Sequence, residues 1–160
     1  MKGRSIVIDR PTAADPRTRL YTVGYEARTQ AEFLDVLTAA SVRRVIDVRA
    51  VAASRRPGFS KTGLAAALRE RGIDYLHLRA LGTPKEGREA ARKGKTAQMR
   101  EIYAGQLATP EAELALLQAE AAMREASSAL LCFELRPHEC HRAMIADRLG
   151  SRGDVEVIDL

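Results

Sequence analysis

The sequence has no tryptophan, four tyrosines, three phenylalanines and two cysteines. So little aromatic surface leaves few platforms on which single-stranded bases could stack. Two cysteines are too few for a disulfide framework. Cys132 and Cys140 are also spaced unlike the Cys-x-x-Cys of thiol oxidoreductases, so reduced thiols are expected. No apolar run approaches the roughly 18 residues that cross a bilayer. Residues 1–19 also lack the apolar centre of a secretory signal. The resulting expectation is a cytoplasmic protein with no membrane partner. Absent too are a phosphate-binding Gly-Lys-Ser/Thr loop and the dinucleotide glycine fingerprint, which argues against ATP hydrolysis and NAD chemistry.

What is present fits one folded domain. The chain has 160 residues, 46% of them hydrophobic, enough to bury a core. Residues 1–19 read as a polar, Pro-containing extension with one short apolar run at 5–8, and residues 20–160 as the domain. The net charge of +5 is unevenly placed. Between Arg43 and Arg100 stand 15 Lys or Arg against 5 Asp or Glu. The remainder holds 11 basic and 16 acidic residues. A basic centre in an acidic frame suits an anionic partner, a phosphate-bearing small molecule or nucleic acid. A merely solubilising Arg-rich surface would look the same.

Strand and helix signals alternate along the domain. Apolar runs at 20–24, 42–48, 73–78 and 129–133 read as strands, and 155–158 as a last edge strand. Thr29-Gln30-Ala31-Glu32 is a capping box for a helix to about residue 40. Ser60 stands where it caps a helix ending at Gly72. The basic stretch 79–95 carries no clear element, and a further helix covers about 96–107. Thr109-Pro110-Glu111 opens a helix to about 125, and Pro137 one to Leu149. Repeated strand–helix units imply a single three-layer α/β/α domain, Rossmann-like, with a mostly parallel sheet of four or five strands.

In such folds ligands gather beyond the carboxyl ends of the strands. Tyr25 follows the first strand, and Asp47 and Arg49 end the second, with Ser54 and Arg55 close behind. His77 ends the third, and Cys132, Glu134, Cys140, His141 and Arg142 surround the exit of the fourth. Four polar clusters at one edge predict a site. Asp47, His77, Glu134, Cys140 and His141 are its candidate titratable groups. Tyr25, Arg49, Ser54, Arg55, Ser60, Lys61 and Arg142 are its candidate anion ligands. A helix starting after Ser60, beside Arg55 and Lys61, offers free amides and cations to a phosphate.

Several residues have two readings. Asp47 and Arg49 share one strand face, either lining a pocket or forming a buried ion pair. Cys140, placed in a first helical turn beside His141 and Arg142, reads as an activated thiol or as a small core residue. Cys132 reads as core. Zinc held by Cys132, His138, Cys140 and His141 is allowed by residue type. The spacing matches no common ligand pattern, however, and neighbouring ligands at 140 and 141 strain the geometry, so no metal is expected.

Thr22-Val23-Gly24-Tyr25-Glu26, Asp47-Val48-Arg49, Ser54-Arg55, Gly58-Phe59-Ser60-Lys61, Leu81-Gly82, Cys132-Phe133-Glu134 and Cys140-His141-Arg142 also carry a resemblance. Together they resemble the bacterial and archaeal family called domain of unknown function 488, in order from about residue 21 to 149. Ala27 stands where Gly commonly follows Tyr-Glu, and Ala52 where Pro commonly precedes Ser-Arg. The resemblance implies a compact α/β domain and shared motifs, without a reaction. The residues themselves point to an enzyme binding a nucleotide or nucleic-acid-related phosphate. The alternatives are a noncatalytic nucleic-acid-binding or regulatory module using 43–100, and a thiol-based redox protein.

Overall fold

The shortest apolar runs of the chain are strands because most of their residues can be buried on both faces at once. In a computed structural model describing residues 17–160, these are β1 (Thr18–Gly24), β2 (Arg44–Asp47), β3 (Asp74–His77), β4 (Ser128–Cys132) and β5 (Val155–Asp159). They form a parallel sheet in the order β3-β2-β4-β1-β5. Central β4 is buried along its whole length, whereas edge strand β5 is only partly covered. Most of the expected extension 1–19, including its apolar run 5–8, lies outside the described residues. Its end is corrected, because Thr18 and Arg19 already pair with Val155 and Glu156 in β1 and β5. Polar side chains there suit the exposed amino end of an interior strand.

Alternation along the strands sends successive side chains to opposite layers. Val23, Val45, Ala129 and Leu131 meet α1 (Gln30–Ala39) and α2 (Lys61–Glu70) through Phe33, Leu34, Leu37, Leu64 and Leu68. Leu20, Ile46 and Leu130 face the other way, into α4 (Thr96–Leu107), α5 (Pro110–Glu125) and α6 (Arg142–Gly150). The expected three-layer α/β/α domain is thus what the chain forms. The capping box forms in full, Thr29 accepting from the Glu32 amide while Glu32 accepts from the Thr29 amide at 2.8 Å. Among the described residues no helix is long and apolar enough to cross a membrane.

Two departures from expectation matter for the site. The basic stretch 79–95 is ordered as a 3-10 turn at Arg79–Leu81 and a helix, α3 (Lys85–Arg92). Its buried residues are the small Gly87 and Ala90, too weak a stripe to read by periodicity. The last helix begins at Arg142 rather than Pro137, which instead opens a 3-10 turn, Pro137–Glu139.

The order of the strands also places a crevice. β4 continues into α6 on one face, while its neighbours β1 and β2 continue into α1 and α2 on the other. Chains leaving in opposite directions open a gap at the carboxyl ends of these strands.

Candidate functional site

The exits of β1 and β4 are fastened side by side. Phe133 O accepts the amides of Tyr25 at 3.1 Å and Glu26 at 2.8 Å, and the Glu26 carboxylate accepts the Leu135 amide at 3.0 Å. Gly24 is required here, because a Cβ would stand 1.9 Å from Glu134 O. Arg142, fully buried, donates to the carbonyls of Glu134 and Leu135. It therefore shapes the turn after β4, its NH1 and NH2 taken up by backbone and its buried Nε without a hydrogen-bond partner.

Inside that turn lies a sulfur–imidazole cluster. Cys140 is extended (φ −123°, ψ 149°) and His141 follows as the N-cap of α6. The bend turns both side chains inward toward Cys132 at the end of β4. His141 Nδ1 lies 3.5 Å from Cys132 Sγ and 3.6 Å from Cys140 Sγ. Its other nitrogen, Nε2, lies 2.8 Å from Val48 O, which requires a proton on Nε2. The Glu134 carboxylate sits 3.3 Å from Cys132 Sγ, and Arg142 N donates to Cys140 Sγ at 3.5 Å. Tyr103 packs edge-on against the His141 ring, its hydroxyl bonded to Leu81 O.

The charges follow from this packing. Burial pushes the Cys140 thiol up, but a hydrogen bond from Cys132 and the positive charges of His141 and Arg142 outweigh it and hold Cys140 well below an ordinary thiol. Burial, reinforced by the Cys140 thiolate and Glu134, keeps Cys132 protonated, well above its usual range. Burial opposes the charge on His141, but the thiolate of Cys140 and the Val48 carbonyl win and raise its pKa. Glu134 is raised to about 7 by burial and by the negative charge of Cys140.

Asp47 and Arg49 form the second constellation. The Asp47 carboxylate takes Arg49 Nε at 2.9 Å and NH2 at 2.7 Å, and Tyr75 OH at 2.5 Å. NH1 of Arg49 donates to Phe59 O at 2.7 Å and to Tyr25 OH at 3.3 Å. Burial disfavours the Arg49 charge, yet Asp47 more than restores it and the guanidinium stays protonated. His77 Nε2 lies 2.8 Å from Arg49 O, one layer behind.

A cavity of about 460 Å³ opens between the two constellations. Tyr25, Arg49, Cys132, Glu134 and His141 line it together with Thr83, Arg88 and Arg92. Of the residues singled out in the sequence, Tyr25, Arg49, Glu134 and His141 face this space. Asp47 and His77 support them from behind, and Cys140, 1% exposed, is sealed beneath His141. Cys132 is both core and cavity wall. His138 points away, its side chain 72% exposed beside Glu139.

Ser54, Arg55 and Ser60 belong to a neighbouring loop, Lys61 begins α2 after it, and none of the four lines the cavity. The Ser60 hydroxyl receives the Ser54 amide at 3.1 Å instead of capping α2, and the Lys61 amide goes to Ala52 O at 2.8 Å. Arg88 and Arg92 were missed in the sequence. Both sit on α3, whose existence was not legible; their spacing of four residues is the signal that would have paired them.

The sequence model of the family described as Domain of unknown function DUF488 matches residues 29–149. The Thr22–Glu26 motif lies just ahead of the matched stretch. No curated protein and no solved structure matches the chain.

Proposed function

This chain belongs to the DUF488 family, and on that premise we propose that it is an enzyme binding a phosphate-bearing ligand in the strand-end cavity. The ligand class is a nucleotide or a nucleic-acid fragment. One observation carries the reading: the cations of Arg88 and Arg92 line the same 460 Å³ space as the Glu134 carboxylate. Arg88 is pre-positioned by its bond to Thr83 O at 2.9 Å, which leaves its remaining N–H groups for an anion. Phe133, exposed and packed edge to face on the buried Tyr25, supplies the apolar surface a base or sugar would lie on. Glu134 is the carboxylate that borders the cavity beside Cys132, and its place there fits a group that gives or takes a proton. Cys140 is shielded from the cavity, which rules out direct attack on a ligand there. A reducing compartment, the cytoplasm, suits the paired free thiols.

The test is ligand-induced stabilisation with inorganic phosphate and with nucleoside monophosphates. Ligand at a hundred times its Kd adds about 2.7 kcal/mol to the folded state. For a chain of this size each kcal/mol raises Tm by about 2–4 °C. Arg88→Ala with Arg92→Ala removes most of that gain, while Arg55→Ala retains it. A gain lost in Arg55→Ala and kept in the double variant moves the phosphate to the Ser60 loop and refutes the cavity.

A further inference from the structure

We infer that Cys132, Cys140 and His141 form a zinc site whose fourth position faces the cavity. Their ligand atoms all lie within 4.8 Å of one another, and all three residues are buried. Zinc binds thiolate sulfur at about 2.3 Å and imidazole nitrogen at about 2.0–2.1 Å. At a tetrahedral angle those two bonds set sulfur and nitrogen about 3.6 Å apart. The separations of His141 Nδ1 from Cys132 Sγ and Cys140 Sγ are 3.5 and 3.6 Å. Both match the edge of a tetrahedron with a zinc ion at its centre.

The imidazole is turned for the purpose. Its Nε2–H is committed to Val48 O at 2.8 Å, which leaves Nδ1 as the nitrogen that can ligate. A backbone carbonyl holding the far nitrogen of a ligating histidine is the usual way that ring is oriented. The Tyr103 ring blocks the histidine from swinging away. Arg142 N–H bonds Cys140 Sγ, the kind of support a metal thiolate receives.

The objection raised by sequence, that neighbours at 140 and 141 strain the geometry, is met by the backbone. Cys140 is extended and His141 is helical, so consecutive side chains converge instead of diverging. Two soft thiolates and one imidazole select zinc over calcium or magnesium. Three protein ligands leave a fourth position. Cys132 and His141 line the cavity, so that position opens into it, beside Glu134. Two thiolates with a doubly charged ion leave the buried centre neutral. The site is independent of whether the cavity takes a phosphate.

Metal analysis of the full chain, purified without chelator, is the experiment. The expected result is one zinc per chain, released by a strong chelator with a fall in Tm and restored on adding zinc alone. Changes to groups that only support ligands lower metal affinity by about 10–100-fold. Cys132→Ser and His141→Gln should therefore each lower it at least 100-fold, whereas His138→Ala leaves it unchanged. Chelator competition on the unaltered protein decides the matter if those variants fail to fold. The cobalt-loaded protein should show thiolate-to-metal charge transfer, and its visible bands should shift on adding a small thiol. Bands that do not shift overturn the open position. A reduced protein that takes up no zinc overturns the site. Because no phosphate ligand enters these measurements, their failure leaves the cavity reading to its own test.

Discussion

Ala27 carries φ +60°, in the left-handed region that residues with a Cβ avoid. This is the position where the resemblance puts glycine, and the backbone now gives the reason. The left-handed conformation costs an alanine about 1–2 kcal/mol, while glycine's extra freedom in the unfolded chain costs about 0.5–1 kcal/mol. Ala27 is exposed, so no packing is lost on removing its methyl group. Ala27→Gly should stabilise the protein by about 0.5–1 kcal/mol in urea unfolding; a loss of stability would show that the loop relaxes around alanine. Asp47 makes a contrasting case. Asp47→Asn leaves the Arg49 charge buried and unbalanced, and should cost about 3–5 kcal/mol in the same measurement. Breaking the exposed Asp35–Arg71 pair should cost less than about 1 kcal/mol. The two-residue spacing of Asp47 and Arg49 was legible as a shared face. That Arg49 both pairs with Asp47 and borders the cavity was not, because the outcome depends on Tyr25 and Phe59 from two other segments.

Elements were legible where their signals are local. The Thr29 capping box needs only four consecutive residues, and it is present as read. Removing the hydroxyl with Thr29→Ala should cost about 1 kcal/mol of stability by thermal unfolding, and no change would mean that water replaces it at the exposed helix end. The helices at 96–107 and 110–125 also stand where periodicity and the Thr109 cap placed them. Two failures have physical causes. A proline suits the first turn of a 3-10 turn as well as an α-helix, so Pro137 marked the start of the wrong element. α3 hides because Gly87 and Ala90 bury so little side chain, while its polar residues are what border the site. Reading Cys132 as core was correct for its burial and left out that it also borders the cavity. Nothing within β4 announces that residues 140 and 141 turn back onto it.

At the scale of the whole molecule, alternation of strands and helices was enough to predict a parallel sheet with polar groups at one edge. It was not enough to say which helix closes the opposite wall. The excess of positive charge between Arg43 and Arg100 is divided by the fold. Arg49, Arg88 and Arg92 meet the cavity, whereas Arg55, Lys61 and Arg79 lie exposed elsewhere. A protein gripping nucleic acid along that whole segment would release several counterions, with log affinity falling by about 0.7–0.9 per phosphate contact against log salt. The cavity reading expects a slope of about one or two contacts in a salt titration against short oligonucleotides. A slope reporting six or more would favour the binding module.

The proposed function requires that one cavity, between the β4 exit and α3, receive the phosphate. Backbone NMR of the chain titrated with a nucleoside monophosphate tests it most directly. The account predicts saturable shifts clustered at Tyr25, Ala50, Val51, Thr83, Phe133 and Glu134, abolished in the Arg88→Ala and Arg92→Ala double variant. Shifts confined to residues 54–61, or spread along the exposed basic surface while these six stay still, would contradict it.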